Sequence, residues 1–236
     1  MSSYARRLAG LVLMLGMIPV FVGLMACIPV PIGDPESSRI DADLNGTWIV
    51  ADEESVQIYV FEPYDKRTWL VRSVVGFERD DTGESGRPAL SYDEMIAIIA
   101  LAGDGDVEEQ WLYKAWRKKL GKHWFMTWEP KAEESEHDKF APDTWFGFRL
   151  DKFGKDEFRL LMIDLDSVLL ESFNDKYDSD DYELPRHMKV VQRALERDVK
   201  RFANDMRLYS SDEELLMELR FYRLRADDRE RLARYL

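Results

Sequence analysis

All seven tryptophans of this 236-residue chain, Trp48, Trp69, Trp111, Trp116, Trp124, Trp128 and Trp145, fall in short segments where apolar and polar residues alternate. Aromatic side chains suit the pleated, half-buried surface of a sheet, and a period of two is the mark of a strand. Val56, Ile58 and Val60 share one face of such a segment, and Gln57, Tyr59 and Phe61 share the other. A second segment runs from Thr68 to Arg79 behind the turn-forming Pro63-Tyr64-Asp65-Lys66. Residues 107–117 and 122–129 read as a hairpin across Lys118-Lys119-Leu120-Gly121, and residues 144–151 and 156–164 as another turning at Gly154. With a short strand at 47–51 and a late one at 217–225, the pattern predicts about eight antiparallel strands. That number can close a small barrel, or form a half-barrel, and removes exposed edges when closed. The expected class is mainly β with helices (α+β).

Three segments break the alternation. Ser91 and Asp93 open an apolar stretch, Met95 to Leu101, that predicts a short helix stopping at Gly103. From Pro185 to Leu208 the apolar residues Met188, Val191, Leu195, Val199, Phe202 and Met206 recur at helical spacing, predicting a long amphipathic helix before the last strand. Its polar side carries Lys189, Arg193, Arg197 and Lys200, a basic stripe suited to an acidic partner. Asp227 to Leu236 reads as a capped C-terminal helix with Leu232 and Leu236 on one side.

The N-terminus has a different grammar. Arg6 and Arg7 precede an apolar run from Leu8 to Val22, and Leu24-Met25-Ala26 leads into Cys27, the sole cysteine. These features resemble the signal peptide and lipobox of bacterial lipoproteins, with Met25 standing where a smaller residue is usual. The resemblance implies cleavage before Cys27, diacylglyceryl attachment to its thiol and acylation of the new amine. Several acyl chains give a stable anchor where one binds only marginally. Ile28, rather than aspartate, after the cysteine implies sorting to the outer membrane, facing the periplasm. The expected organisation is a signal peptide over 1–26, a lipidated cysteine and flexible tether over 27–43, and one β-rich domain over 44–236. The tether expectation rests on Pro29, Pro31, Gly33 and Pro35. A lone cysteine offers no internal disulfide, so the core must hold itself together.

Loss of residues 1–26 leaves 31 basic against 46 acidic side chains, a net charge near −15. Such a surface repels nucleic acid and anionic head groups. Hydrophobic residues at 45% nevertheless supply a sizeable core, so the chain is not a disordered acidic segment.

Leu44-Asn45-Gly46-Thr47-Trp48 is similar to the Gly-x-Trp opening of lipocalins and lipocalin-like lipoproteins. In that family the tryptophan plugs one barrel end and a basic residue of the last strand lies across its ring. The resemblance implies a barrel-closing pair of Trp48 with Arg220 or Arg223, and an interior lined by Trp69, Trp111, Trp124, Trp128 and Trp145.

Reaction chemistry is hard to find. No nucleophile elbow, phosphate-cradling loop, zinc-type cysteine pair or His-Glu-x-x-His occurs. His123, His137 and His187 are scattered, and the acidic run Asp175, Asp178, Asp180, Asp181 and Glu183 lacks the glycine and spacing of a calcium loop. No catalytic residue, metal site or cofactor is expected. The leading reading is a non-enzymatic envelope lipoprotein that binds a small apolar ligand or lipid. A structural or partner-binding lipoprotein of envelope assembly is the alternative, and an envelope enzyme comes third.

Overall fold

Both faces of the alternating segments become buried, against different layers. In the computed structural model, which describes residues 27–51, 55–78, 90–101, 111–131, 145–167, 169–177, 184–210 and 218–232, Tyr59 and Phe61 face an interior core while Val56, Ile58 and Val60 pack outward. After a two-residue strand β1 (Cys27–Ile28), the strands are β2 (Gly46–Ala51), β3 (Ser55–Pro63), β4 (Trp69–Glu78), β5 (Leu112–Leu120), β6 (His123–Pro130), β7 (Trp145–Lys152), β8 (Glu157–Met162) and β9 (Glu218–Arg223). From β2 to β9 each pairs antiparallel with the next, and β9 returns to β2. The result is a closed eight-stranded antiparallel barrel, consistent with the lipocalin-like barrel expected. Adjacent Ile58 and Tyr59 of β3 pair with Val75 and Ser73, which leaves Val74 unpaired and marks a bulge on β4.

Turn chemistry follows the glycines. The β5–β6 turn is Gly121-Lys122, because Leu120 pairs with His123 and Gly121 takes φ 63°. The strand therefore runs through Lys118 and Lys119, which alternation places on opposite faces, rather than turning at them. Gly154, φ 145°, sits in the β7–β8 turn.

Helices cover the outside. α1 (Tyr92–Leu101) begins at a capping box in which Ser91 and Glu94 bond reciprocally, and it packs with α4 (Ala226–Arg231) over β2 and β3. α2 (Glu171–Tyr177) and α3 (Leu184–Phe202) lie over β5 to β8, where Val191, Leu195 and Val199 are buried with Trp116, Phe125 and Leu161. The sequence predicts this helix to Leu208, but it stops at Phe202. Asp205 then accepts from the Arg207 backbone N–H and caps a separate 3₁₀ turn, Met206–Tyr209, whose Leu208 and Tyr209 are buried.

The segment after Cys27 is not a tether. Ile28, Val30 and Ile32 are at most 1% exposed and insert between the barrel wall and α3. Gln192 donates to the carbonyls of Pro31 and Gly33, Glu196 accepts from the Gly33 N–H, and Thr127 exchanges hydrogen bonds with Ile32. Further on, Arg117 binds the Arg39 carbonyl and Asp41, and Lys152 binds Asp41 and Asp43. The prolines extend the backbone as composition suggests, yet every second residue is a branched aliphatic that fills a groove. Residues 1–26 with the signal-like segment, His137, Asp178 to Glu183 and the end of the C-terminal helix lie outside the described residues.

Candidate functional site

The barrel has two unlike ends. The lower end carries the turns around 64–68, 121–122 and 153–156 and the start of β2; the upper end carries the start of β7 and the ends of β6 and β8.

The lower end is plugged. Trp48 and Arg223 are directly opposed on β2 and β9, and the Arg223 guanidinium lies 4.2 Å from the centre of the Trp48 ring. Arg223 Nη1 donates to the Asn45 carbonyl and Nε to that of Lys155, each at 2.9 Å, and Nη2 donates to the Asp43 carbonyl. Trp48 Nε1 donates to Leu44 O at 2.8 Å, so the indole is held at both ends. The second arginine considered for this position is placed elsewhere. Leu219 and Phe221 belong to the interior, so Arg223 shares their face while Arg220, one position out of phase, stands on the outer wall with Glu157. Beside that pair runs an ion-pair ladder of Glu218, Arg159, Asp151 and Arg149. Burial by itself would raise the Asp151 carboxyl, but the hydrogen bonds and charges of Arg149 and Arg159 outweigh it and hold the group below its ordinary range.

Above this plug the interior is solid. Phe158 stacks on Phe221 at 4.4 Å and meets Trp48 edge-on at 4.6 Å, while Trp69 is fully buried and donates to Asn45 Oδ1 at 2.9 Å. Trp124 also faces inward at the lower end, where the Arg117 guanidinium covers it at 4.2 Å. Of the expected lining residues, Trp145 is not in the barrel at all. Phe146, Phe148 and Leu150 point inward, so Trp145 falls on the outer wall and packs beneath α3 with Ile28. Trp111, 41% exposed, precedes β5.

Trp128 forms the floor of the upper end. It touches Tyr59, Tyr113 and Phe148 at centroid distances of 5.8, 5.2 and 5.1 Å, and is 3% exposed. Packed against the same cluster at that end are the half-buried Tyr113, Phe146, Met162 and Leu219, which form an apolar cup among the described residues. Burial pushes the Tyr113 hydroxyl up to about 12. Trp48 and Trp69 satisfy their indole N–H groups, but Trp128 Nε1 finds no acceptor among the described residues. An unmet buried donor costs about 1–3 kcal/mol, so the group is unusual in a well-packed interior.

Comparison with protein-family models, curated proteins and solved structures finds no match.

Two other features complete the surface. Lys189, Arg193, Arg197 and Lys200 lie on the exposed side of α3, with Arg197 tied to Asp198 at 3.1 Å. A groove of about 770 Å³ beside β9 is lined by Tyr92, Tyr222, Arg225 and Arg229, with Asp156 and Glu157 across it. Its charges are mixed and Arg225 is stacked over Tyr92 at 4.1 Å, so it offers no uniform field for an anion. No group of three potential metal ligands occurs among the described residues. What sequence reasoning missed is the upper cup's Tyr113, Phe146, Met162 and Leu219. The strand parity that would have assigned them was available once Trp128 was fixed as inward-facing.

Proposed function

We propose that this chain is a non-enzymatic, lipid-anchored protein of the bacterial envelope, attached to the outer membrane through Cys27, whose barrel receives part of a small amphiphile or lipid at its upper end. The unsatisfied Trp128 Nε1 carries the reading. An apolar ligand bearing one acceptor would supply the missing hydrogen bond while covering Tyr113, Phe146, Met162 and Leu219. The solid lower half restricts binding to a shallow seat, so only part of the ligand is enclosed. Native mass spectrometry of the detergent-extracted mature protein should show a retained lipid-like mass together with the acyl groups. In a titration with the apolar probe N-phenyl-naphthylamine, Leu219→Arg should weaken saturable binding about tenfold or more, equivalent to at least 1.4 kcal/mol. Absence of saturable binding, or equal binding by Leu219→Arg, refutes the ligand reading.

A second reading, a partner-binding role in envelope assembly, is supported by the extent of the basic surface. A Cβ built on Gly121 would come within 3.5 Å of Lys200, which brings the α3 stripe against the β5–β6 turn and its Lys122. Such a surface suits an acidic partner on a protein that is otherwise strongly acidic.

A further inference from the structure

Residues 28–33 form a strap that descends one side of the barrel together with α3. Cys27 pairs with Phe146 and Ile28 with Trp145 at the upper end, and by Gly33 the strap has reached Lys118, close to the β5–β6 turn. Gln192 and Glu196 of α3 hold Pro31 and Gly33, while Ile28, Val30 and Ile32 are buried beneath the helix. The chain before Ile28 therefore joins the barrel at the upper edge of the face that α3 covers, with no slack below it.

The outer side of that face is basic. Lys189, Arg193, Arg197, Lys200 and Arg201 are exposed on the side of α3 turned away from the buried Val191, Leu195 and Val199. Lys200 lies against Gly121, which adds the exposed Lys122 of the β5–β6 turn. Lys189 with Arg193, Arg193 with Arg197, and Arg197 with Arg201 are like charges four residues apart, a spacing that destabilises a helix. Among the described residues only Arg197 of the five has an acidic partner, Asp198. The net charge near −15 does not describe this face. The connections at the upper end, 52–54, 79–89, 102–110, 132–144 and 211–217, carry eighteen acidic against three basic side chains, so the negative excess is carried by one end of the barrel and not by its side. Arg193 and Arg201 stand about 14 and 26 Å along α3 from Leu184, where the acidic run 178–183 joins the helix, and both distances exceed the Debye length of about 8 Å at physiological salt.

We infer that the α3 face, from Lys189 to Arg201 with Lys122, is the surface this protein lays against the membrane, its cations set on the phosphates of anionic phospholipid. The inference rests on the membrane attachment proposed above. Four to eight lysines and arginines next to a membrane attachment form a binding surface for anionic lipid, and this face presents six. An acidic protein would also suit the charge, but it would require no attachment point on the same face, and the strap places one there. The barrel axis then lies along the membrane surface, and the acidic end points along the interface instead of into it. A free tether would let every face meet the bilayer equally; the docked strap selects one.

The mature acylated chain, reconstituted into vesicles of phosphatidylethanolamine with a minor fraction of phosphatidylglycerol, tests this. Val190, 53% exposed among the cations of α3, and Ala97, exposed on α1 over β2 and β3 across the barrel, are replaced singly as Val190→Cys and Ala97→Cys and labelled with bimane. Acylation leaves no competing thiol at Cys27. Nitroxide-headgroup lipid should quench position 190 about threefold or more over position 97, and the difference should vanish in high salt, in vesicles of phosphatidylethanolamine and phosphatidylcholine alone, and in the Arg193→Glu/Arg197→Glu chain. Salt and lipid composition require no substitution in the face, so the result does not depend on how the reversed chain folds. Equal quenching at 190 and 97 in protein that floats with the vesicles, or quenching at 190 that salt and neutral lipid leave unchanged, overturns the assignment while leaving the anchor intact. Capture of an acidic protein by α3 with position 190 unquenched gives the face to a protein partner instead. Protein that does not float, with an unacylated mass at Cys27, refutes the anchored reading and this membrane face with it.

Discussion

Arg223 and Arg220 lie three residues apart on one strand, carry the same charge, and should nevertheless differ several-fold in what they contribute to stability. Replacing Arg223 with alanine removes a cation–π contact with Trp48, worth about 0.5–2 kcal/mol, and hydrogen bonds to the carbonyls of Asp43, Asn45 and Lys155. Each such charged bond is worth about 1.5–3 kcal/mol when buried. The Arg223 side chain is 24% exposed and the freed carbonyls can be rehydrated, so each bond falls to the roughly 0.5–1 kcal/mol of an ordinary net hydrogen bond, and with the ring contact the sum is about 3 kcal/mol. Arg220 is 47% exposed and pairs mainly with Glu157, so its loss should cost under about 1 kcal/mol. For a domain of this size a 3 kcal/mol loss lowers the melting temperature by about 6–12 °C. Urea unfolding followed by tryptophan emission measures both variants, and the Arg223→Ala transition should move to lower urea with its slope unchanged. If Arg223→Ala is no more destabilising than Arg220→Ala, the lower plug does not hold the barrel as described.

Ile32→Ala should cost about 2–4 kcal/mol by the same assay because its side chain is in the core, whereas a free tether would register no change. The lowered carboxyl of Asp151 contributes stability that is complete well above its ordinary value of 3.8 and is lost as the pH falls through its folded-state value. Asp151→Asn should therefore flatten the acid limb of the stability profile, and an unchanged limb would count against the ladder. Tyr113, held up to about 12 by burial, contributes stability present below pH 10 and lost as its hydroxyl ionises, so Tyr113→Phe should reduce the alkaline loss in a pH-jump melt. Charge reversal at Lys189 and Arg193, both exposed, should change stability by less than about 0.5 kcal/mol while abolishing co-purification of any acidic partner. Unaltered co-purification would remove the second functional reading.

Much of the barrel was legible because alternation is a local property. Val56 to Phe61, the late Leu219-to-Leu224 segment and the hairpin at Gly154 all declare strands through neighbouring residues, and eight of them leave few architectures open. The choice between Arg220 and Arg223 was not legible, because it follows from Phe221 being interior and only the fold places Phe221 there. Residues 28–33 were misleading for a physical reason: proline and glycine encode an extended backbone, and an extended backbone is equally suited to a tether and to a groove. Only the presence of α3 and the β5–β7 wall on either side turns Ile28, Val30 and Ile32 into core. Trp145 fails similarly, since strands covered by helices bury apolar side chains on both faces and composition no longer tells inside from outside.

The sequence by itself determined the class of fold and the number of strands in the barrel, because both are written in short-range periodicity and spacing. Tertiary structure alone decided that the barrel's lower half is filled, that Arg223 rather than Arg220 crosses Trp48, and that Trp128 keeps an unmet donor beneath an apolar cup. It also decided that Cys27 stands at the rim of that cup. These depend on which distant segments meet, and the closing of β9 onto β2 brings together residues more than 150 positions apart that no local pattern relates.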